Sequence, residues 1–439
     1  MAREALITAD HLRAKARIFS EGVRIKGREE PPFSQGLSNS RRTARARHNL
    51  CPTPPVTPPT GDVSGEQIER IWMATSAVMA ANEAESKPSS GMRLTFDGSG
   101  LTTFLHTNTY SRLVVSMEGD KIIVMDGDDV LVTGYEPPSF DWRNELLSNQ
   151  LPAATFLPAM SQEILNLVFY LSCSNYNTGR GCKYCNLFAN PLSQMVDEFP
   201  IALQESWARH QGEAVKIALD HGWNGHLAVS GGALPDAMRP HYLTYLRICL
   251  DAVREVVGEE QFRELDIVYN HYPPERFEDM EEWKALGVKR TTIDTEVVSP
   301  DYFSIICPGK AAFRPLDFWK KAQEASVDVF GAFFNTTGNI ILGLEPMDGL
   351  IEGIEERLSK GVMPRPVIFC SAPNSEFWGF RPPTADWILE ATDRMADLYM
   401  KYIPFEQVSG EIGTGPTMLV FDMIKHKMQR RSPPAPAWS

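Results

Sequence analysis

Cys173, Cys182 and Cys185 are the residues of this sequence best suited to chemistry. They follow the apolar run Ile164-Leu-Asn-Leu-Val-Phe-Tyr-Leu171 and lie in Cys173-Ser-Asn-Tyr-Asn-Thr-Gly-Arg-Gly-Cys182-Lys-Tyr-Cys185. Thiolates are soft ligands that suit iron–sulfur clusters or zinc. Electron-transfer clusters fill every corner with cysteine. Three thiolates leave one corner of a cubane open to a substrate or cofactor, which favours a catalyst over a carrier. Zinc is the competing metal, but a closed structural site takes four ligands, and the next histidines, His210 and His221, are far along the chain. A disulfide framework is disfavoured by the odd count of seven cysteines and by the absence of an export-signal pattern at Met1-Ala-Arg-Glu.

The elements that must position these thiols read as alternating strands and helices from about residue 160. Strands are expected at Leu165–Leu171, His226–Ser230, Leu265–Tyr269, Arg290–Asp294, Asn339–Leu344 and Pro366–Cys370. Amphipathic stretches separate them at Ala202–Asp220, Pro240–Val257, Glu275–Leu286, Leu316–Ala325 and Asp348–Lys360. Such alternation implies a parallel α/β sheet, and right-handed crossovers can curl six such units into a partial (β/α)6 barrel. Functional residues then belong at the carboxyl ends of the strands.

Upstream, residues 1–62 read as a flexible arm ending in the polyproline-like Cys51-Pro-Thr-Pro-Pro-Val-Thr-Pro-Pro-Thr-Gly61. Residues 63–150 read as a small α+β domain, with a helix through Ile68, Ile71, Trp72 and Val78 followed by short alternating strands. The barrel is expected over 151–402 and a C-terminal extension over 403–439. With 43% hydrophobic residues the chain can build a large core. No apolar run approaches the ~20 residues of a membrane span. A net charge of −13 argues against nucleic-acid binding. Free thiols point to a reducing cytoplasm.

The stretch Gly181-Cys182-Lys-Tyr184-Cys185-Asn-Leu-Phe188 resembles the second half of the Cys-x-x-x-Cys-x-x-Cys motif of the radical S-adenosylmethionine (SAM) superfamily. Eight residues separate Cys173 from Cys182, where most of that family has three. An insertion containing Gly179 and Gly181 can bulge while both ends stay near one cluster. The segment Val229-Ser230-Gly231-Gly232-Ala233 is similar to the family's Gly-Gly-Glu-Pro-type segment, without its acidic residue. Thr291-Thr-Ile-Asp294-Thr-Glu296 occupies the strand end that supplies polar groups to SAM. Gly338-Asn-Ile-Ile341-Leu-Gly343-Leu-Glu345 partly follows the adenine-contact segment, and with Ile306-Cys-Pro-Gly-Lys310 it resembles the biotin synthase-like and lipoyl synthase-like branch. The resemblance spans about 165–400.

The resemblance implies a [4Fe–4S] cluster on Cys173, Cys182 and Cys185, and SAM held by Tyr184, Gly231, Gly232, Asp294, Glu296, Ile341 and Gly343. It implies a 5′-deoxyadenosyl radical that abstracts hydrogen from a small-molecule substrate in cofactor or natural-product biosynthesis. A one-electron reductant such as a flavodoxin or ferredoxin would serve as partner, with no nucleic acid and no membrane. His271, Cys307 and Cys370 are the candidate catalytic residues. Tyr272, Asn335, Ser371, Asn374 and Glu376 are the candidate substrate contacts. A non-catalytic iron–sulfur or zinc protein, a SAM-binding regulator, and a radical SAM methyl- or sulfur-transferase remain as alternatives. Cys51 lies in the arm and Cys249 on an apolar helix face, so a second four-cysteine cluster lacks ligands. One cluster is expected, which disfavours sulfur insertion.

Overall fold

The structure is a computed structural model and describes residues 6–25, 92–106, 108, 110–137, 141–157, 164–170, 173–185, 201–371, 375–404, 406–407 and 418–431. Its larger sheet holds six parallel strands lying side by side in chain order. They are β7 (Ile164–Tyr170), β8 (His226–Gly231), β9 (Asp266–Asn270), β10 (Arg290–Thr292), β11 (Phe333–Leu342) and β12 (Val362–Ile368). The connections carry α3 (Ile201–Asp220), α4 (Tyr242–Val257), α5 (Glu259–Glu264), α6 (Asp279–Leu286), α7 (Pro300–Ile306), α8 (Pro308–Phe313), α9 (Leu316–Phe330) and α10 (Met347–Ser359).

The two faces of this sheet differ in chemistry. Leu165, Leu167, Phe169, Leu227, Val229, Ile267 and Tyr269 share one core with Trp207, Leu246 and Trp283 of the helices. The alternate positions mix Asn166, Ser230, Asn270 and Thr292 with Val168, Ala228 and Val268; Ser230 donates to Asn166 Oδ1 at 2.8 Å and Thr292 is paired with Thr337 at 2.8 Å. Parallel sheets ordinarily present apolar side chains on both faces.

All six expected strands are present, with shifted ends. β10 stops at Thr292, and beyond it only a single bridge, Glu296 to Ile340, continues the pairing. β11 starts six residues early: Phe333 pairs with Val362 of β12, the register shifts across residues 334–336, and Thr336 and Thr337 pair with β10. The prolines of β12, Pro364 and Pro366, are tolerated on an edge strand. The short helices α7 and α8 were not anticipated.

A second sheet, ordered β1-β4-β5-β6-β2-β3, is formed by β1 (Arg24–Ile25), β2 (Met92–Phe96), β3 (Thr102–Leu105), β4 (Leu113–Glu118), β5 (Lys121–Asp126) and β6 (Asp129–Tyr135). The expected helix over 64–78, and Cys51, lie outside the described residues.

Cores cross the boundaries read from the sequence. Residues assigned to a flexible arm form α1 (Ala9–Glu21), which buries Leu12, Ile18 and Phe19. Each such side chain is worth ~1.5–3 kcal/mol when fully buried. That core also takes in β2–β6, β11, β12, α11 (Ala385–Tyr402) and α12 (Leu419–Arg431), so the C-terminal extension packs rather than trails. Trp142, Leu147 and Phe156, placed upstream of or near the expected barrel boundary, belong to the core of the parallel sheet.

One ion pair ties the two chain ends. Lys15 Nζ lies 2.6 Å from Asp422 Oδ2 with both side chains wholly buried. Burial pulls the lysine pKa down and pushes the aspartate up, each opposed by the partner's charge. Asp422 Oδ1 is buried without a hydrogen bond. Breaking such a pair strands a buried charge, whereas an apolar replacement of both partners is close to neutral. Lys15→Met should therefore lower unfolding free energy by ~3–5 kcal/mol in urea titration. The double variant Lys15→Met/Asp422→Leu should recover most of it; equal loss in both would show that the charges do not pair.

Candidate active site

Cys173 follows β7 and caps the one-turn helix α2 (Ser174–Asn177). Ser174 binds the loop after β8, its N–H donating to the Ala233 carbonyl at 2.9 Å and its hydroxyl to Leu234 at 3.0 Å. Gly179 turns the chain at φ 68°. The Tyr176 hydroxyl then reaches the carbonyls of Cys185 at 2.7 Å and Cys182 at 3.1 Å. Its ring fills the space where a Gly181 side chain would stand, within 2.0 Å of an added Cβ. The long spacing is thus a helical turn and a glycine turn folded around one tyrosine. Tyr176 had no assigned role in the sequence reading.

The loop sits on the junction of α7 and α8. Lys183 N–H donates to the Ile306 carbonyl and Gly309 N–H to the Arg180 carbonyl, both at 2.9 Å. A side chain on Gly309 would overlap Asn175, 2.2 Å from the added Cβ. Between those two contacts lies Cys307, fully buried. The neighbouring Cys307 thiol is the main cause of a lowered Cys182 pKa; burial opposes it, while Lys310 and the Tyr184 hydroxyl reinforce it. Burial and the Cys182 sulfur together push Cys307 well above its ordinary value. Burial pushes Cys173 up to about 11, and the neighbouring Cys182 and Cys185 add to the shift.

Among the described residues, no three His, Cys, Asp or Glu side chains converge as ligands of one metal ion. Cys173 lies within electrostatic reach of Cys182 and Cys185.

Beside Cys182 is a buried charged group. Lys310 Nζ lies 2.6 Å from Glu296 Oε1, donates to the Asp294 carbonyl at 2.7 Å, and stands 5.2 Å from the centre of the Trp319 ring. Burial pulls its pKa down, but Glu296, Cys182 and Asp294 hold it well above the ordinary lysine range. Burial raises the Asp294 carboxyl to about 6, with Glu296 adding to the shift. Asp294 Oδ1 accepts from Asn339 N–H at 2.7 Å. Glu296 has a left-handed backbone, φ 68°, fixed by bonds to Asn339 and Ile341 on β11. Strain of this kind gathers at functional sites. Lys310 was quoted in the sequence reading but given no role.

The remaining candidates divide sharply. Gly231 allows β7 to approach, since an added Cβ would stand 3.0 Å from the Tyr170 carbonyl. Gly232 donates to that same carbonyl at 3.0 Å and accepts from His271 Nε2 at 3.2 Å. His271 is buried among Phe169, Tyr269 and Tyr272, ring centroids 4.9–6.0 Å away. It braces the β8 loop rather than facing an open site. Tyr272 accepts from Asn175 Nδ2 at 2.6 Å and packs on Trp319. Ile341 and Gly343 lie at the carboxyl end of β11, Gly343 at φ 100° against Pro383. Glu345 accepts from Val298 and Ser299 N–H groups at 2.8 Å, fixing the start of α7.

Three expected substrate contacts have other partners or places in the fold. Ser371 ties its own loop, donating to the Phe377 carbonyl at 3.0 Å and accepting from Gly379 at 2.8 Å. Glu376 pairs with Lys183 at 2.5 Å on the surface. Asn335 stands near the amino end of β11, opposite the cysteine loop. Asn374 lies outside the described residues. Cys370 follows β12, half-buried, its thiol raised to about 11 by burial. Cys249 is a packed thiol of α4.

No family model matches the chain. A comparison with known proteins finds bacteriochlorophyllide c C-7(1)-hydroxylase of Chlorobaculum limnaeum, 41% identical over 322 residues, covering 72% of this chain and 80% of the relative. The chain belongs to the bacteriochlorophyllide c C-7(1)-hydroxylase family. It is an enzyme. Among the described residues no helix is long and apolar enough to cross a membrane.

Lys310→Met should destabilise the fold by ~3–5 kcal/mol, because Glu296 would keep a buried charge without a partner; Lys310→Met/Glu296→Gln should be milder, and urea titration reads both. Burial lowers the His271 pKa to about 4. A depressed histidine stabilises fully above its unfolded pKa near ~6.5, and that share is lost as pH falls toward 4. Unfolding free energy should drop by roughly 2 kcal/mol more in wild type than in His271→Gln between pH 7 and 5. Parallel losses would place the titration elsewhere.

Proposed function

We propose that this enzyme is a radical SAM hydroxylase acting on an unactivated carbon of a bacteriochlorophyllide-type macrocycle, in bacteriochlorophyll biosynthesis. The observation that carries the reading is the cysteine loop itself, with three thiols after the first strand of a parallel sheet. The family relationship supplies the reaction class, since the relative's name specifies hydroxylation at C-7(1) of bacteriochlorophyllide c. In this reading the six parallel strands form the partial barrel of the radical SAM superfamily, and their mixed face lines its interior.

Cys173, Cys182 and Cys185 would hold a [4Fe–4S] cluster, with SAM on the open iron. When bound, that pair would supply a 5′-deoxyadenosyl radical able to remove a hydrogen atom from the substrate, and hydroxylation would be completed by loss of one further electron from the carbon radical to an electron acceptor and addition of water, with release of a proton. The chain's own residues orient and enclose. Tyr184 and the backbone of Gly231 and Gly232 would hold the methionine end of SAM. Asp294 and Glu296, the latter with Lys310, would meet its charged and hydroxyl groups, and Ile341 and Gly343 its adenine. Asn166, Ser230, Asn270 and Thr292 would offer donors and acceptors to a substrate. A flavodoxin or ferredoxin would deliver the electron.

The test is iron analysis after anaerobic reconstitution, with 5′-deoxyadenosine measured in parallel. Wild type should carry ~4 iron per chain and release 5′-deoxyadenosine. Cys173→Ala, Cys182→Ala and Cys185→Ala should each lose most of the iron and all of the product. A Cys173→Ala protein with full iron and activity would contradict the ligand set. Colourless wild type with one zinc would overturn the radical reading.

A further inference from the structure

One charged side chain of the parallel sheet lies outside the group built around the cysteines. Thr292 and Thr337 are register partners whose hydroxyls meet at 2.8 Å. The helices cover the opposite face: an added Cβ on Gly338 would stand 2.4 Å from Gln323 of α9, and Ile340, Leu342 and Ile368 share a core with Leu350 of α10 and Ile388 of α11. Side chains alternate along a strand, so Asn339, two residues beyond Thr337, shares the face of the threonines. Its register partner on β12 is Arg365, which belongs to that face too. Asn339 N–H donates to Asp294 Oδ1 at 2.7 Å, so Arg365 stands one strand away from the candidate active site.

The neighbouring charges have partners. Arg290 Nε lies 3.0 Å from Asp266 Oδ1, and His226 Nδ1 lies 2.8 Å from Asp266 Oδ2. Lys310 holds Glu296. Arg365, among the described residues, makes no hydrogen bond and no ion pair. It is half-buried, and its nitrogens are not sealed from solvent-sized space. Burial pulls its pKa below the ordinary arginine value, opposed by Asp294 and Tyr399. A guanidinium stays charged in proteins, and a sheltered charge without a partner is costly. Pro364 and Pro366 flank it, and prolines on both sides hold the backbone extended. A planar guanidinium on a stiff strand suits a carboxylate, which accepts two parallel N–H···O bonds.

We propose that Arg365 binds a carboxylate of the substrate, the free propionate of a bacteriochlorophyllide-type macrocycle, and so selects the free acid over its ester. The inference rests on the macrocycle reading of the proposed function and deepens it.

The experiment titrates the anaerobically reconstituted full chain with bacteriochlorophyllide c and with its propionate methyl ester, read by quenching of pigment fluorescence. SAM affinity is measured separately by calorimetry. Wild type should bind the acid roughly tenfold to a hundredfold more tightly than the ester, the range of a hydrogen bond to a charged group. Arg365→Gln should bind the acid as weakly as wild type binds the ester, with ester and SAM affinities unchanged; the retained ester binding shows that the variant is folded. Arg365→Lys should keep part of the preference. Equal wild-type affinity for acid and ester would overturn the proposal and leave the macrocycle reading standing. Equal losses of acid and ester binding in Arg365→Gln would make the residue structural and overturn it. Weaker SAM binding in Arg365→Gln, with the acid preference intact, would assign the guanidinium to the carboxylate of SAM and overturn it as well. Wild type that binds neither pigment would defeat the macrocycle reading and this inference with it.

Discussion

The cysteine loop is held by backbone hydrogen bonds to the turn between α7 and α8, and the site depends on that seat. Lys183 and Arg180 are the contact points, and Gly309 lets the two segments meet at a distance that any side chain would prevent. Because α7 begins under the carboxylate of Glu345, the seat is anchored in turn to the end of β11. Lys310, on α8, carries the same connection into the interior by pairing with Glu296. The ammonium of Lys310 and the carboxylates of Asp294 and Glu296 thus come from one short stretch, 294–310, on which the cysteine loop also rests.

That arrangement gives several of the expected residues partners within the protein. A carboxylate such as Glu296 or Asp294 can meet a ligand only with its charge accounted for, and Lys310 provides that account inside the protein. The histidine placed at the end of the third strand is neutral and walled by aromatic rings, so it supports the Gly232 carbonyl. Around this centre the second core, joining α1, α11 and α12 to the outer strands, fixes the far side of the parallel sheet.

Much of this was legible in the sequence, for physical reasons. Strands buried on one face by helices show as runs such as Ile164–Tyr170, and helices as apolar stripes such as that of α4. The thiol spacing drew attention to the cysteine loop because few other side chains hold soft metals. What was not legible depends on distance in space. Tyr176 and Gly181 form a pair only once the loop folds, and Ser371 looked like a contact until its loop closed on it. β11 was read short because Thr336 and Gly338 carry turn chemistry that strand pairing overrides, and Asn335 lies in a register shift within the strand. The helical α1 lay in a segment whose downstream prolines and arginines hid its own amphipathic face.

The central claim is that three cysteines hold a cluster whose fourth iron is open to SAM. Electron paramagnetic resonance of the reduced protein, recorded before and after addition of SAM, tests it most directly. A [4Fe–4S] signal whose g values shift on adding SAM is the expected result. A signal unchanged by saturating SAM would mean that no open iron faces the ligand, and would contradict the account.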